Sequence, residues 1–382
     1  MDEIRIAIVG LGMRGVEWIG TLRRLSGYRV VALCDPIEAL HERALAALPD
    51  RSAVRVYSHY EDVLADGNVD AIGLTVRSRH QGALAAQGIE AGKHVNAEVP
   101  ASHSIEDCWR IVLACERTGK LYQSAEQTRY WGFIEAWRKM VAEGQLGTVT
   151  FCEGQYFHHH VMLNFQERRT GRFIHPSELA LYPEAEPTWP NEMPPIHYLP
   201  HELSPILRIL DDRVTEVVGM STPGPSQYLP AIGQPDVQVA LMKTEKNAIL
   251  RLATSFAQPH PIYRGHWYHV MGTKGDVESA RRYGDLGRMW LAESQMHDMG
   301  TVDWRMERTD APREARGAGY GGADVYPQIA FRDALLYGRP LEFDVYKAMD
   351  TAAPAILAAE SIAQGSVPLK VPDFRPEARD HG

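Results

Sequence analysis

The chain reads as an α/β protein: an N-terminal doubly wound parallel sheet, then an α+β domain with a large open, mostly antiparallel sheet. Three observations predict this. Residues 4–15 read IRIAIVGLGMRG, an apolar run that ends in Gly10, Gly12 and Gly15. Strand-like and helix-like segments then alternate through the first third of the chain, the order that builds a parallel sheet. After about residue 147 long period-two runs take over, as antiparallel strands require. A chain of 382 residues exceeds one ordinary core. The expected division is 1–126 for the first domain and 127–382 for the second.

In the first domain, apolar β-type runs fall at 4–9, 30–34, 54–57, 71–76, 94–97 and 121–124, with helical patterns at 15–25, 36–48, 81–91 and 105–117 between them. Ser104 followed by Asp107 is a helix start. Gly92 and Gly119 stand where helices end. In the second domain, period-two runs at 149–158, 215–220, 237–242, 248–253 and 267–271 predict strands, and Gly272-Thr273-Lys274-Gly275 a turn. Helical patterns return at 205–210, 326–337 and 346–363. Residues 175–201 are so rich in proline that no regular structure is expected there. A loop of that length is usually functional. The mixed-charge stretch 305–316 reads as a solvated loop, 317–322 as a flexible segment, and Asp2 and 375–382 as loosely held ends.

The glycine run carries chemistry. Gly10 allows a tight turn, Gly12 leaves room for a pyrophosphate, and Gly15 lets the following helix pack close to the strand. The helix start, with Met13 and Arg14, offers free N–H groups and a positive dipole end. Asp35 closes the next apolar run, about twenty residues on, where a carboxylate accepts from a ribose 2′-hydroxyl. It would repel a 2′-phosphate, so NAD is the expected cofactor of this Rossmann arrangement. The loops after the later strands place Thr75, His80, Glu98 and Gln127 against the same dinucleotide.

Composition excludes several classes. Net charge is −9, from 40 basic and 49 acidic residues, with no basic block, which argues against nucleic acid and anionic membranes. No apolar run reaches transmembrane length. The first strand begins almost at Met1, so no leader is expected. Four cysteines without a CxxC pair read as small core residues in a reducing cytoplasm.

Further segments resemble a known family. Thr75-Val76-Arg77-Ser78-Arg79-His80 and Gly92-Lys93-His94-Val95-Asn96-Ala97-Glu98-Val99-Pro100 are similar to the Thr-Pro-Asn-x-x-His and GKHV-x-x-EKP segments of the Gfo/Idh/MocA oxidoreductases. The usual dehydrogenases of that family have a lysine where Val99 stands, an ammonium that helps lower the pKa of the reacting hydroxyl. The NAD-dependent glycosidases of glycoside hydrolase family 109 carry EV there. They are also matched by Glu126…Tyr130, by Glu153-Gly154-Gln155-Tyr156-Phe157-His158, by Tyr198-Leu199-Pro200-His201…Ser204-Pro205, and by Asp344-Val345-Tyr346 and Val371-Pro372-Asp373-Phe374. Residues 160–196 do not match, and His159 replaces an acid.

Hydride transfer needs a base for the hydroxyl proton, and histidine is best poised for that near neutral pH. His201 is the expected base, with Tyr198 beside it; the alternative is a helix-capping or packing role. The resemblance implies that Tyr156 removes the carbon-2 proton of a 3-keto sugar. That needs a lowered phenol pKa, for which Arg129 or a nearby histidine would supply positive charge. Arg129, His158, His160 and Glu126 are the expected substrate contacts. His158-His159-His160 invites a metal reading, but a strand sends the middle imidazole to the other face, so no metal is expected. Trp189 is placed to stack on a sugar face.

The expected activity is NAD(H)-dependent oxidation or reduction of a secondary hydroxyl of a sugar or glycoside at the 3-position. The alternatives are a redox-neutral NAD-dependent glycosidase and a catalytically inactive NAD-binding sensor. The resemblance further implies association through the open sheet face, as a homodimer or homotetramer.

Overall fold

The computed structural model describes residues 2–167, 169–259, 265–282 and 284–379; Met1 and the last three residues of the expected loose C-terminus lie outside them. Strands β1 (Ile4–Val9), β2 (Tyr28–Cys34), β3 (Arg55–Tyr57), β4 (Ala71–Leu74), β5 (His94–Ala97) and β6 (Tyr122–Ser124) form a parallel sheet in the order β3-β2-β1-β4-β5-β6. Helices α1 (Met13–Leu22), α2 (Glu38–Ala46), α3 (Tyr60–Ala65), α4 (Ser78–Glu90) and α5 (Ile105–Thr118) connect them. Order reverses between β1 and β4, so the loops that follow them diverge and leave a crevice at the strands' carboxyl ends. β1 and β4 are apolar and buried almost throughout, as strands covered on both faces must be. The Ser104 hydroxyl accepts from the Asp107 N–H at the start of α5, and Gly119 ends it at φ 67°.

After α6 (Gly132–Ala142) the second domain is laid on β7 (Val149–Phe157). Then come β8 (Phe165–Glu167), β9 (Phe173–Ile174), β10 (Ala185–Pro187), α7 (Trp189–Glu192) and α8 (Pro200–Leu210). The strands β11 (Val214–Ser221), β12 (Gln238–Thr244), β13 (Ile249–Ser255), β14 (His266–Gly272), β15 (Gly275–Glu278), β16 (Gly287–Leu291) and β17 (Gly300–Val302) follow. α9 (Val325–Tyr337), α10 (Val345–Ala363) and β18 (Leu369–Lys370) complete the domain. Nine strands make one sheet, β17-β16-β15-β14-β7-β13-β12-β11-β18, antiparallel except for the β7–β13 pair. Helices α8 and α10 pack on one face. Strand β12 shows why: alternate residues from Gln238 are buried, while Leu241 and Lys243 face outward.

Four expectations are corrected. The proline-rich stretch is ordered. It holds the strand β10, the short helix α7 and 3₁₀ turns at Pro176–Leu181 and Pro195–Tyr198, and α8 already starts at Pro200. Proline suits the first turn of a helix, where its missing N–H is not needed. Residues 305–316 are not simply a solvated loop: the Gly132 and Phe133 N–H groups donate to the Met306 and Arg305 carbonyls at 2.7 and 3.0 Å. Residues 317–322 are docked as well, the Tyr320 carbonyl accepting from Trp131 Nε1 at 3.0 Å. At the C-terminus Arg375 is held by Asp350 and Asp373.

One connection is not visible in any periodicity. Helix α9 returns to the first sheet. Phe331 joins the core around Ile4, Ile6 and Ile8, and Gln328 Oε1 accepts from Asn96 Nδ2 at 2.8 Å.

Candidate active site

The first loop has the geometry its glycines predict. Gly10 sits at φ 90°, and a Cβ there would lie 2.4 Å from the Thr75 carbonyl oxygen. A Cβ on Gly15 would lie 2.1 Å from the Gly10 carbonyl oxygen, so α1 can pack this close only without a side chain. At Gly12 a Cβ would meet nothing within 4 Å: that position faces open space, where a phosphate can reach the backbone. These residues fit a dinucleotide.

The space beside the loop is a cleft of about 880 Å³ lined by Gly10, Gly12, Asp35, Thr75 and His80. A smaller one of about 180 Å³ shares Gly12 and Thr75 and adds Met13, Arg14, Glu98 and Tyr198. Asp35 is buried. Its Oδ2 accepts from the Leu11 N–H and its Oδ1 from the Ile37 N–H, both at 2.8 Å, so it also braces the loop. Thr75 Oγ1 donates to the Gly10 carbonyl at 2.6 Å. Glu98 receives Trp18 Nε1 at 2.8 Å and pairs with Arg14, which also meets Asp324. Arg14 is therefore neutralised by protein carboxylates. Gln127 is buried, with Oε1 unpartnered among the described residues, and lines neither cleft.

Tyr198 leads from the smaller cleft to a buried cluster. Its ring lies edge-on to those of Tyr156 and His201, at 5.2 and 4.7 Å, and stacks on Trp189 at 4.8 Å. Residues 198 and 201 stand three apart at the entry of α8, hence on one side. His201 is buried, and its Nδ1 lies 2.8 Å from Glu126 Oε2. The Thr128 N–H and Oγ1 hold Glu126 Oε1 at 2.9 and 2.6 Å. The carboxylate raises the His201 pKa against the desolvation that lowers it, and the imidazole lowers that of Glu126. With Nδ1 facing Glu126, Nε2 is the nitrogen left for a substrate proton.

Tyr156, on β7, stacks on His201 at 5.4 Å with planes 10° apart, and its hydroxyl lies 3.3 Å from His160 Nε2. His158 packs at 4.0 Å from the same ring and stacks on His160. Among the described residues no group of three His, Cys, Asp or Glu side chains is arranged to hold a metal.

Three readings change. Arg129 does not reach this cluster. It is buried, with Nη2 and Nε on Glu342, Nη1 on Ser204 Oγ, and its plane over the Phe343 ring at 4.0 Å. It lines a separate cavity of about 900 Å³ with Arg208, Glu342 and Asp350. The cavity's Arg129, Arg208 and Arg375 are paired with the neighbouring carboxylates Glu342, Glu135 and Asp350. Nor is the Tyr156 phenol eased toward ionisation: burial pushes its pKa well above the ordinary 10, and burial likewise pushes His160 well below 6.5. Glu126, expected against substrate, instead serves His201.

Four residues escaped the sequence reading: Thr128, Glu202, His266 and Tyr268. Glu202 adjoins His201, and His266 opens the run 267–271 by one position. Only the pairing of β14 with β7, which sets His266 opposite Tyr156, brings them together.

A nucleotide cleft whose wall residue Tyr198 packs on a buried carboxylate–imidazole pair is the arrangement of an NAD-dependent oxidoreductase. Residues 4–126 match the family described as "Oxidoreductase family, NAD-binding Rossmann fold", and residues 227–378 match "Glycosyl hydrolase 109, C-terminal domain". Residues 4–126 thus carry the NAD-binding domain of the Gfo/Idh/MocA oxidoreductases and residues 227–378 a C-terminal domain of the glycosyl hydrolase 109 type. The chain is 28% identical to glycosyl hydrolase family 109 protein 2 of Phocaeicola vulgatus, over 97% of this chain and 94% of that one. Its fold is similar to that of an NAD binding oxidoreductase from Klebsiella pneumoniae, at TM-score 0.76, 17% identity and coverage of 97% and 100%. It is likewise similar to the WlbA dehydrogenase from Bordetella pertussis, solved with NADH and UDP-GlcNAcA, at TM-score 0.69, 18% identity and coverage of 97% and 99%.

Proposed function

We propose that this enzyme oxidises and reduces a secondary hydroxyl of a sugar or glycoside, at the 3-position, with NAD(H). Bound NAD supplies the hydride acceptor. His201 takes the hydroxyl proton at Nε2, while Glu126 fixes the ring through Nδ1 and stabilises the imidazolium that forms. This buried pair beside the nucleotide cleft carries the reading. Tyr198 and Trp189 wall the space between cleft and base. Val99 lines the smaller cleft next to Glu98, so no ammonium at that position competes for the role of His201.

A second reading rests on Tyr156 stacked against His201. Once carbon 3 is a ketone, the hydrogen on carbon 2 is acidic. Tyr156, its own proton first passed to His160 Nε2 3.3 Å away, takes that proton; the C–H electrons form a C1–C2 double bond, and the group on carbon 1 leaves with its bonding pair. Water adds back, and the carbonyl is reduced again. The sum is hydrolysis without net redox change, the chemistry that the names of the family 109 relatives favour.

Mixing enzyme, NAD and a panel of methyl and nitrophenyl glycosides separates the readings. Accumulating NADH with an intact keto-glycoside supports the oxidoreductase. Free aglycone with no net NADH supports the glycosidase. Bound NAD with no turnover on any glycoside supports the inactive sensor and overturns both.

We also infer a homodimer or homotetramer joined through the sheet's outer face, on which Met220, Leu241, Ile249 and Met271 are exposed. Light scattering tests this: Leu241→Glu should dissociate the assembly. The four cysteines are buried and unpaired, which fits a reducing cytoplasm.

A further inference from the structure

Beside the Glu126–His201 pair lies a second carboxyl–imidazole pair that the reaction as described does not use. His266 Nδ1 is 2.7 Å from Glu202 Oε1, and both side chains are buried. Glu202 follows His201 on α8, and His266 faces Tyr156 directly across the β7–β14 ladder. Side chains so paired are neighbours on one face of a sheet. The His266 ring stands perpendicular to the Tyr156 ring at 4.9 Å and to Trp131 at 5.2 Å, which leaves it one orientation. The Tyr268 hydroxyl ties the assembly to the first pair: it donates to the His201 carbonyl at 2.9 Å and lies 3.4 Å from Glu202 Oε1. Two glycines make room. A Cβ on Gly154 would lie 2.9 Å from Glu202 Cβ, and one on Gly265 would lie 2.5 Å from His158 Nε2.

We propose that Glu202 is a positioning residue that, through His266, sets the ring of Tyr156 for its proton transfer; this rests on the reading of Tyr156 as the base of the second step. The two pairs are built for different work. Glu126 Oε1 is held by the two Thr128 donors and Glu202 Oε1 by His266 and Tyr268, while Oε2 of Glu202 has no hydrogen-bond partner among the described residues and Oε2 of Glu126 only faces the His201 imidazole. A bare buried carboxylate oxygen is costly, and burial raises the Glu202 pKa well above 4.5 while lowering that of His266 to about 3. Burial thus favours the uncharged forms of Glu202 and His266, whereas pairing with each other favours the charged forms of Glu126 and His201. A neutral clamp holds Tyr156 without adding a negative charge where a phenolate must form. It follows that an amide can replace Glu202 but not Glu126.

The test compares Glu202→Ala, Glu202→Gln and His266→Asn in the full chain. Two steps are read separately: NADH formation, and exchange of the carbon-2 hydrogen with solvent deuterium, on the same glycoside panel. Glu202→Ala should slow the exchange about tenfold to a hundredfold and NADH formation much less. Glu202→Gln and His266→Asn, which keep a hydrogen bond in place, should recover most of it. A second readout needs no substrate. In histidine-labelled protein the Cε1–H signal of His266, assigned by its loss in His266→Asn, should keep its position in Glu202→Gln and broaden in Glu202→Ala. An equal fall of both steps in Glu202→Ala, no recovery in Glu202→Gln, or an unmoved His266 signal in Glu202→Ala overturns the proposal. If wild type forms NADH but exchanges no hydrogen, the reading of Tyr156 fails, and the His266 signal still judges the clamp.

Discussion

His201 Nδ1 lies 2.8 Å from Glu126 Oε2, and both groups are buried. The helix start at Pro200 supplies one partner and the turn after β6 the other, so the pair is made where the two domains meet.

Taking a hydroxyl proton requires neutral His201. Glu126 raises its pKa above 6.5, so oxidation should rise with pH along a limb whose midpoint lies above that value, and ketone reduction should favour lower pH. Glu126→Gln should move the midpoint to lower pH and cut kcat by about a hundredfold. A pH–rate profile with an unmoved midpoint would reject the pair.

Tyr156→Phe should keep NADH formation and lose carbon-2 exchange and aglycone release. The ring and its stacking on His201 survive the substitution; only the hydroxyl goes. Loss of all three signals together would leave Tyr156 a packing residue.

Asp35→Ser should weaken NAD and narrow its advantage over NADP, measured by binding of each cofactor. It should also cost about 1–3 kcal/mol in unfolding free energy, because the buried Leu11 N–H loses its acceptor. Unchanged cofactor preference would remove Asp35 from the ribose.

Arg129→Met should destabilise the fold and leave KM unchanged. Its partner Glu342 has a pKa lowered to about 2, desolvation being outweighed by Arg129 and Arg208. A depressed carboxylate contributes stability above its unfolded pKa near 4.5 and loses it as pH falls through about 2. With 35% of the Glu342 side chain exposed, the contribution is about 1–2 kcal/mol. Acid titration of Tm should show that loss in wild type and less of it in the variant; a raised KM would return Arg129 to the substrate.

The Rossmann half was legible because its strands β1, β4, β5 and β6 are runs buried on both faces and several of its turns carry their own marker, as Gly10, Ser104 and Gly119 show. His201, Tyr198 and Tyr156 were legible as types in motifs. Local pattern could not say what they touch. Arg129 looked like a site residue because it follows β6, yet Glu342, far along the chain, captures its guanidinium. Proline content concealed β10 and α7, since short elements rest on distant contacts rather than on periodicity. Glu202 and His266 carried no motif at all. The sequence by itself determined the nucleotide loop, the order of the elements and the kinds of group available for proton transfer, because each depends on residues near in the chain. Only the tertiary structure decided which carboxyl serves which imidazole, because cross-strand pairing and helix packing set those distances.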